Sequence, residues 1–481
     1  MLRIIRKFLR HAGRAPLAPM MLCAALLFHC PPLPAAESEL PSPEAIPFEP
    51  LRFELPQIEK SVTDNGMTLY ILENHDLPVI HLNGLIKTGS VYDPPGKEGT
   101  AELTAYVMRT GGTEKYTSAQ MDNLLDDMAA TVAFTVSKES VQVNFSVLSE
   151  DFEKGLELLS EIMIHPIFER EKIELARQLK EEELRRLRDN PQKLAFREFL
   201  RLVYDGDERG RFASSASIKK ISREDLADFH RIFFRPENIM FAVSGDISSE
   251  KAKALIKKYF GGWRAEGKTM TFPPPPKSPR EGLFIVSKEI PQSTVVAGRL
   301  GPAKTDEDFY AFTVLDFIIG SGGFPSRIQS LVRNDEGLAY SAGSFYQAYP
   351  SFGVFGVYAL TKTPSTLRAL GLMNSVVESI GSSVSEQELV WAKKSINNGF
   401  IFSFTTPQDI VWQIMNADYD HLPSDFLPRF RERIEKVTVA DLAEAARRYF
   451  STQNTVLILG DSKNFLEGKP SDQYVFITPE Y

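Results

Sequence analysis

Two stretches of this chain repeat each other and decide the fold: residues 225–246 read DLADFHRIFFRPENIMFAVSGD, and residues 441–461 read DLAEAARRYFSTQNTVLILGD. Corresponding residues lie 215 or 216 positions apart from the start of the stretch to its end. In each copy, apolar residues at helical spacing precede an apolar run that is followed by Gly and Asp. A nearly constant offset predicts a duplicated domain in which a helix leads into a buried strand.

A proline-rich segment lies between the copies, where residues 273–279 read PPPPKSP. Proline locks φ and lacks an N–H group, so this segment is expected to be an extended connector. A chain of 481 residues with 43% hydrophobic residues also exceeds the size at which one core usually keeps growing. The predicted divisions are a signal peptide at 1–36, an extended lead-in at 37–59, a first domain at 60–270, a linker at 271–281, a second domain at 282–465 and a tail at 466–481.

The rest of the pattern predicts an α+β fold. In the first half, alternating apolar residues predict strands at 67–72, 79–86 and 141–147, and helical spacing predicts helices at 102–109, 119–129, 150–164 and 170–189. Pro191 is expected to stop the last of these helices. The second half repeats the order, with strands predicted at 282–286 and 293–300 and a helix at 306–319. Each half is therefore predicted to be a mainly antiparallel sheet packed with helices.

The first 36 residues predict export. They carry five basic residues and no acid, then an apolar run at 20–28, then Ala35 and Ala36. This order is typical of a secretory signal peptide and predicts a periplasmic or secreted protein, with a mitochondrial presequence as the alternative. A lipoprotein anchor at Cys30 fits poorly, because His29 stands where such sites use a small residue. No later run approaches the roughly 20 apolar residues that a membrane span needs.

The composition of the exported part restricts its chemistry. Both cysteines, Cys23 and Cys30, lie in the leader, so neither a disulfide nor a thiolate ligand is expected after its removal. Loss of the five basic residues also lowers the formal net charge from −8 to −13. Nucleic acids and anionic membranes attract basic surfaces, so neither is expected as a partner.

Four short phrases occur in a fixed order: DNGM at 64–67, KTGS at 87–90, DNP at 189–191 and GLAY at 337–340. Together with the duplication, they resemble the pitrilysin-type (M16) zinc peptidase family, and within it the M16B group, over nearly all of residues 60–462. The resemblance implies two homologous α+β domains of the metallohydrolase type that enclose a peptide-binding chamber.

Active members of this family carry His-x-x-Glu-His on the first helix, where two imidazoles bind zinc and the glutamate activates the bound water. The matching positions here are Glu102, Ala105 and Tyr106. Both imidazoles are replaced, and the methyl group of Ala105 cannot accept a proton. The resemblance therefore implies a pseudopeptidase that holds no cofactor of its own.

The third zinc ligand of the family is a glutamate on a later helix, and Glu183 matches it. Its neighbours Glu181 and Glu182 favour a solvated acidic helix face instead. No two of the seven histidines lie four residues apart, so none forms a helical pair. Glu102, Tyr106 and Glu183 would offer oxygen donors suited to Mg²⁺ or Ca²⁺, which leaves an active hydrolase with an unorthodox metal site as a third hypothesis.

The second half carries a different motif, GSGGFPSR at 320–327, in which Gly320, Gly322 and Gly323 predict a flexible loop. Arg333 and Tyr340 follow, seven positions apart. In the family, an Arg and a Tyr at this spacing reach towards the zinc site, so the resemblance implies donors to the scissile carbonyl and the oxyanion. Without it, Arg333 would be a surface helix charge and Tyr340 the start of a core strand.

Two functions follow from the resemblance. The first is the noncatalytic subunit of a heterodimeric M16 peptidase, whose partner carries the intact motif with its zinc. Arg333 and Tyr340 would then complete the partner's active site, and an unfolded peptide would bind by strand addition to a sheet edge. The second is a peptide-binding or structural scaffold without peptidase activity. In both cases, the isolated chain is not expected to hydrolyse peptides.

Overall fold

The computed structural model describes residues 54–264, 273–450, 454–469 and 474–479. The predicted signal peptide, most of the predicted lead-in and part of the predicted linker lie outside the described residues. Within the described ranges, no helix is both long and apolar enough to cross a membrane.

The first half contains a six-stranded sheet. Its strands are β1 (Glu59–Val62), β2 (Thr68–Glu73), β3 (Val79–Ile86), β4 (Thr131–Val136), β5 (Val141–Leu148) and β6 (Ile239–Gly245). They lie in the order β1-β2-β6-β3-β5-β4, in which β2 and β6 are parallel and the other neighbours antiparallel. Every residue of β6 is buried, because neighbouring strands flank it and helices cover it. The apolar run of the first repeat is therefore an inner strand, as predicted.

The second half contains a six-stranded sheet in which five strands repeat the order of the first sheet. Its strands are β7 (Gly282–Ser287), β8 (Gln292–Gly301), β9 (Ala339–Ala348), β10 (Gly353–Lys362), β11 (Thr455–Gly460) and β12 (Val475–Phe476). They lie in the order β12-β7-β11-β8-β10-β9. The inner strand β11 is the counterpart of β6 and is also buried throughout. The prediction of an α+β fold with two related, mainly antiparallel sheets is confirmed.

Helices pack against both sheets. Those of the first half are α1 (Thr100–Thr110), α2 (Ser118–Asp127), α3 (Phe152–Ile164), α4 (Arg170–Arg188), α5 (Pro191–Val203), α6 (Ser215–Lys220), α7 (Arg223–Phe233) and α8 (Ser249–Phe260). Those of the second half are α9 (Phe309–Asp316), α10 (Thr366–Ser383), α11 (Glu386–Ile401), α12 (Pro407–Tyr419), α13 (Phe426–Lys436), α14 (Val439–Tyr449) and α15 (Ser462–Phe465). The starts of α4, α5 and α7 each lie 216 positions before those of α11, α12 and α14, so the duplication reaches beyond the stretches that reveal it.

Pro191 and Pro407 occupy equivalent places. Each is the first residue of a helix, where the missing N–H group would have no intrahelical acceptor. The side chain of Asn190 caps α5 by accepting the N–H of Lys193 at 2.9 Å. Pro191 therefore both ends α4, as predicted, and begins another helix. The predicted helix at 306–319 is an α-helix only over α9, which ends at Asp316. A π-helical turn over Phe317–Ser321 follows it directly.

The two halves exchange a helix. In the sequence α5 belongs to the first half, yet its residues Leu194 and Phe199 pack against Val296 and Leu457 of the second sheet. In return, α12 of the second half packs against the first sheet, where Met415 lies in one cluster with residues of β2, β3 and β6. Fully burying a large apolar side chain stabilises the fold by about 2 kcal/mol. The halves therefore cannot separate without exposing parts of both cores.

The start of the predicted linker is held by a buried arginine. Arg209 is 2% exposed and donates hydrogen bonds to the carbonyl oxygens of Pro273 and Pro274 at 3.2 and 3.0 Å. Its charge is paired with Asp207 at 2.9 Å and Glu139 at 2.6 Å. The extended segment at 273–281 thus lies against the first half instead of hanging free between two domains.

Candidate functional site

Helix α1 carries the degenerate zinc motif, and its start is firmly held. The helix follows Gly99, whose φ of 105° is a conformation that glycine adopts readily. The carboxylate of Asp93 accepts the N–H groups of Gly99 and Ala101, both at 2.7 Å. The helix then lies between α4, α7 and β4. Positions 102 and 106 are one turn apart, so both face the same side.

The three motif positions differ in their surroundings. Glu102 and Tyr106 are partly exposed, at 39% for the Glu102 side chain and 38% for Tyr106. Ala105 is buried and presents only a methyl group. The positions of the two metal ligands therefore hold one carboxylate and one phenol, and position 105, where the catalytic base would lie, has no proton acceptor.

A lysine lies between the two glutamates of the predicted ligand set. The Nζ of Lys180, on α4, forms an ion pair with Glu102 on α1. The same Nζ donates to both carboxylate oxygens of Glu183 at 3.1 Å. Burial disfavours the ammonium charge, but the carboxylates of Glu102 and Glu183 outweigh this effect and raise the pKa of Lys180. Lys180 is thus a tethered, permanently charged cation at neutral pH.

A second lysine faces the same region. Lys138, in the turn between β4 and β5, is largely buried, with its Nζ 3.8 Å from the centre of the Phe212 ring and 2.8 Å from the carbonyl oxygen of Arg211. Burial lowers the pKa of Lys138 to about 8, although the negative charges of Glu102 and Asp93 act in the opposite direction. The ammonium groups of both Lys180 and Lys138 therefore act on the Glu102 carboxylate.

These residues do not fit the zinc ion that the fold implies. Structural and catalytic zinc sites need three or four protein ligands, of which the common ones are His, Cys, Asp and Glu. Across the part of the chain that the structure describes, no group of three or more such residues is placed to hold a metal ion. At the motif itself, the Lys180 ammonium bonds to both candidate carboxylates. Glu183 is 70% exposed on the far side of that lysine and borders a cavity of about 370 Å³.

The glycine-rich segment of the second half is packed more tightly than a flexible loop. A Cβ atom on Gly320 would lie 2.3 Å from the backbone nitrogen of Ser344, and one on Gly322 would lie 2.6 Å from the carbonyl oxygen of Phe317. Gly323 is different, with open space around it and a φ of 76°. The buried hydroxyl of Ser326 donates to the carbonyl oxygen of Gly323 at 2.6 Å. Close packing, and not freedom of movement, explains Gly320 and Gly322.

Arg333 and Tyr340 lie side by side. Arg333 is in a π-helical segment, Gln329–Asp335, and Tyr340 is the second residue of β9. The guanidinium carbon of Arg333 is 6.0 Å from the centre of the Tyr340 ring. Tyr340 is 82% exposed, so it does not belong to the core. Its phenol is available to a molecule outside this chain.

Phe324 completes this cluster and was missed from the sequence. Its ring centre lies 5.0 Å from the Arg333 guanidinium, and the side chain is 63% exposed. When the amide of Gln329 is oriented to satisfy both of its polar atoms, its oxygen accepts from Arg333 at 2.9 Å and its nitrogen donates to Ala342 at 2.6 Å. A bulky aromatic residue directly after two glycines, where a polar turn is usual, was the signal in the sequence.

The two predicted sites remain separate in this chain. No hydrogen bond or ion pair between described residues joins Glu102, Lys180 or Glu183 to Arg333 or Tyr340. Each site does lie near a sheet edge, since α1 packs beside the edge strand β4 and Tyr340 lies at the start of the edge strand β9. Thr131, Ala133 and Thr135 of β4 are exposed. Such edges offer unpaired backbone groups to an incoming strand.

Comparison with known proteins gives a consistent result. The family model described as "Insulinase (Peptidase family M16)" matches residues 74–212, and the model described as "Peptidase M16 inactive domain" matches residues 220–396. A Rickettsia bellii protein with the name "Uncharacterized zinc protease" is 24% identical over 401 residues, which are 82% of this chain and 96% of that protein.

Two solved structures have the same fold. The crystal structure of a peptidase M16 inactive domain from Pseudomonas fluorescens matches with a TM-score of 0.77 at 22% identity, covering 84% of this chain and 98% of the other. A protease from Helicobacter pylori matches with a TM-score of 0.76 at 22% identity, covering 84% of this chain and 100% of the other.

Proposed function

The chain belongs to the peptidase M16 family, and we propose that within it the protein is the noncatalytic subunit of a heterodimeric periplasmic zinc peptidase. The observation that carries this proposal is the contrast between its two sites. The first half lacks a base at Ala105 and has an ammonium between its two acidic positions. The second half keeps a partly exposed arginine and an exposed tyrosine whose chemistry is useful only beside a metal in another chain.

Arg333 and Tyr340 are suited to act on a reaction in the partner. A guanidinium and a phenol both donate hydrogen bonds, and the scissile carbonyl oxygen gains negative charge as it is attacked. Phe324 and Gln329 hold the guanidinium from two sides, which reduces the entropy lost when it engages the substrate. The zinc and its activated water belong to the partner, whose His-x-x-Glu-His motif would bind them.

The substrate in this proposal is an unfolded peptide. The edge strand β4 borders α1 and exposes alternate residues, so a peptide can extend the first sheet by main-chain hydrogen bonds with little demand on its sequence. The name of the Rickettsia bellii relative, a zinc protease, agrees with peptide as the substrate class. Export to the periplasm rests on the pattern of residues 1–36 alone.

A scaffold that binds peptides without contributing to hydrolysis is the second candidate. The same edge strand favours it, since strand addition needs neither Arg333 nor Tyr340. The third hypothesis, an active hydrolase with oxygen ligands, is opposed by the Lys180 ammonium at Glu102 and Glu183.

Reconstitution separates these candidates. The purified chain is mixed with the M16 chain of the same organism that has an intact zinc motif, and cleavage of an unstructured fluorogenic peptide is measured. The chain alone is expected to be inactive, and the mixture active. Arg333→Ala and Tyr340→Phe should each lower kcat by roughly 100- to 1,000-fold, the usual effect of removing one oxyanion donor.

Matched controls make the result specific. Arg447→Ala removes an exposed arginine of the same half, on α14, and should leave the rate unchanged. Complex formation is checked by size-exclusion chromatography for every variant. An active complex that tolerates both Arg333→Ala and Tyr340→Phe would establish the scaffold function. Turnover by the isolated chain, abolished by a chelator, would establish the third hypothesis.

A further inference from the structure

We infer that the ammonium of Lys180 is a built-in cation that takes the place of a metal ion between α1 and α4 and excludes divalent cations from the degenerate site. This inference concerns the described chain alone, and it holds whether or not a partner subunit exists. It starts from the disagreement between the family's zinc and the residues at its position.

The geometry is that of a bridge between two helices. Lys180 Nζ contacts Glu102 on α1 and lies 3.1 Å from each carboxylate oxygen of Glu183 on its own helix. Many lysines pair with a glutamate three residues on, and such pairs are usually exposed. Here the lysine side chain is only 15% exposed, whereas Glu102 and Glu183 are 39% and 70% exposed. The cation is the buried member of the group, as a bound metal would be.

The charges around Lys180 also favour the ammonium over a divalent cation. Without Lys180, the Glu102 carboxylate would lack its ion-pair partner, although the positive charge of Lys138 also acts on it. With Lys180 in place, a divalent cation would have to approach an ammonium at contact distance, and like charges so close repel each other strongly. The tethered cation is always present at its site, while a free ion must be taken from dilute solution.

An ammonium preserves the architecture of the site but not its chemistry. Its three N–H groups satisfy carboxylate oxygens and link α1 to α4, as a metal would. It has no vacant orbital to polarise a carbonyl and cannot lower the pKa of a bound water as zinc does. The missing imidazoles and the lysine between the carboxylates are therefore two separate features of the site. Restoring only the imidazoles and the base should not restore metal binding.

The test restores the motif with and without the lysine. The triple variant Glu102→His, Ala105→Glu, Tyr106→His is prepared in the full exported chain, alone and combined with Lys180→Met, which keeps the length of the side chain. Zinc per chain is measured by mass spectrometry after dialysis against buffered Zn²⁺, and the dissociation constant by competition with a chromophoric chelator. The combined variant should bind one zinc per chain, at least tenfold more tightly than the triple variant.

Two controls identify the cause. Lys180→Arg in the triple variant keeps the positive charge and should leave the chain poor in zinc. Lys219→Met removes another lysine that faces α4, near Glu181 at 3.8 Å but away from the motif, and should not increase zinc binding. Equally tight zinc binding by the triple variant with and without Lys180→Met would overturn the inference, as would tight binding by the Lys180→Arg form.

A measurement in the native motif covers the case in which the restored variants do not fold. Melting temperatures are compared for the wild type, Glu102→Gln, Lys180→Met and the double variant. If the ammonium bridges the helices, Glu102→Gln should lower the melting temperature in the wild type and have a much smaller effect once Lys180 is replaced. Equal effects in both backgrounds would show that no bridge exists and would also overturn the inference.

Discussion

Helices α1 and α9 occupy the same place in the two halves, each after the second long strand of its half. They differ in exposure and in the side chains that they present. α1 leaves Glu102 and Tyr106 partly exposed, on the face where the family binds zinc. α9 is buried on nearly all sides and carries Phe309, Phe312 and other apolar residues into the core. Duplication thus supplied two scaffolds, and only the first shows the outline of a metal site.

The helices that follow differ in the same way. Lys180 and Glu183 on α4 correspond, at the offset of 216, to Ile396 and Gly399 on α11, which carry no charge. The second half instead places its polar chemistry on the segment from Phe324 to Tyr340. Among the described residues, no hydrogen bond or ion pair joins Glu102, Lys180 or Glu183 to Arg333 or Tyr340, so a change at one set need not disturb the other.

Substitution of Arg209 should have the largest effect on stability, and it tests whether the two halves unfold independently. Arg209→Met should lower the free energy of unfolding by about 3–5 kcal/mol, because Glu139 and Asp207 would lose a buried counter-charge. Arg209 also lies 4.9 Å from the ring of Phe352 in the second half, so a single transition is expected to shift as a whole. Urea denaturation followed by circular dichroism measures this. Arg447→Met, at an exposed ion pair, should change little, and two separate transitions would contradict the exchange of α5 and α12.

One pH dependence should arise from Asp316 in the second half. Burial raises the pKa of Asp316 on α9 to about 6, despite a hydrogen bond from the Ser344 hydroxyl at 2.6 Å. The folded chain therefore holds this proton more tightly than the unfolded chain, where the ordinary pKa is 3.8. The free energy of unfolding should fall by about 2 kcal/mol as the pH rises from 4 to 6, and this contribution stays lost above pH 6.

Asp316→Asn should remove that part of the pH dependence. Urea denaturation at a series of pH values from 4 to 7.5 compares the variant with the wild type, and Asp64→Asn, at an exposed carboxylate, serves as the control. If the free energy of unfolding varied with pH in the same way for the wild type and Asp316→Asn, the Asp316 carboxyl would not be the source of this pH dependence.

The role of Phe324 sharpens the contrast within the second half. Phe324→Ala should lower kcat/KM of the reconstituted peptidase by about 3- to 10-fold, since a cation–π contact at a partly exposed site contributes about 1 kcal/mol. The effect should be smaller than that of Arg333→Ala, because Gln329 still holds the guanidinium. Phe402→Ala, at another exposed aromatic residue, is the control and should be neutral. An unchanged rate for Phe324→Ala would assign the positioning to Gln329 alone.

The smallest effect compares the halves directly. Pro191→Ala and Pro407→Ala should each lower the free energy of unfolding by about 0.5 kcal/mol, because alanine adds conformational freedom to the unfolded chain. Both prolines begin equivalent helices, so the two losses should be similar. Chemical denaturation of both variants measures this, and clearly unequal losses would show that the repeat is not equivalent at these caps.

Several elements could be predicted because their signals are local. The strand at 79–86 was predicted with the bounds of β3, and the helix at 170–189 differs from α4 by one residue. The edge strands β4 and β9 were not predicted. An edge strand is stabilised on one side only, so its residues need not follow a strict apolar pattern. The end of α9 was misplaced because the chain turns into a π-helix without any proline to mark the change.

At the candidate site, the sequence identified the positions but not their partners. The family resemblance placed Glu102, Ala105 and Tyr106 on the first helix, and it paired Arg333 with Tyr340. Lys180 was overlooked beside the acidic run at 181–183, since its ion pair with Glu102 joins residues 78 positions apart. Phe324 was overlooked although it lies only nine positions before Arg333, because nothing in the spacing shows that its ring meets the guanidinium.

The duplication, the α+β class and the missing pair of imidazoles can be read from the sequence alone, since periodicity, offset and residue type are properties of the chain along its length. The folded structure was needed to learn which sheet receives α5 and α12, what lies between Glu102 and Glu183, and that Tyr340 is exposed. Such contacts depend on which distant segments share a surface, and the free energy of that packing is not encoded in any local pattern.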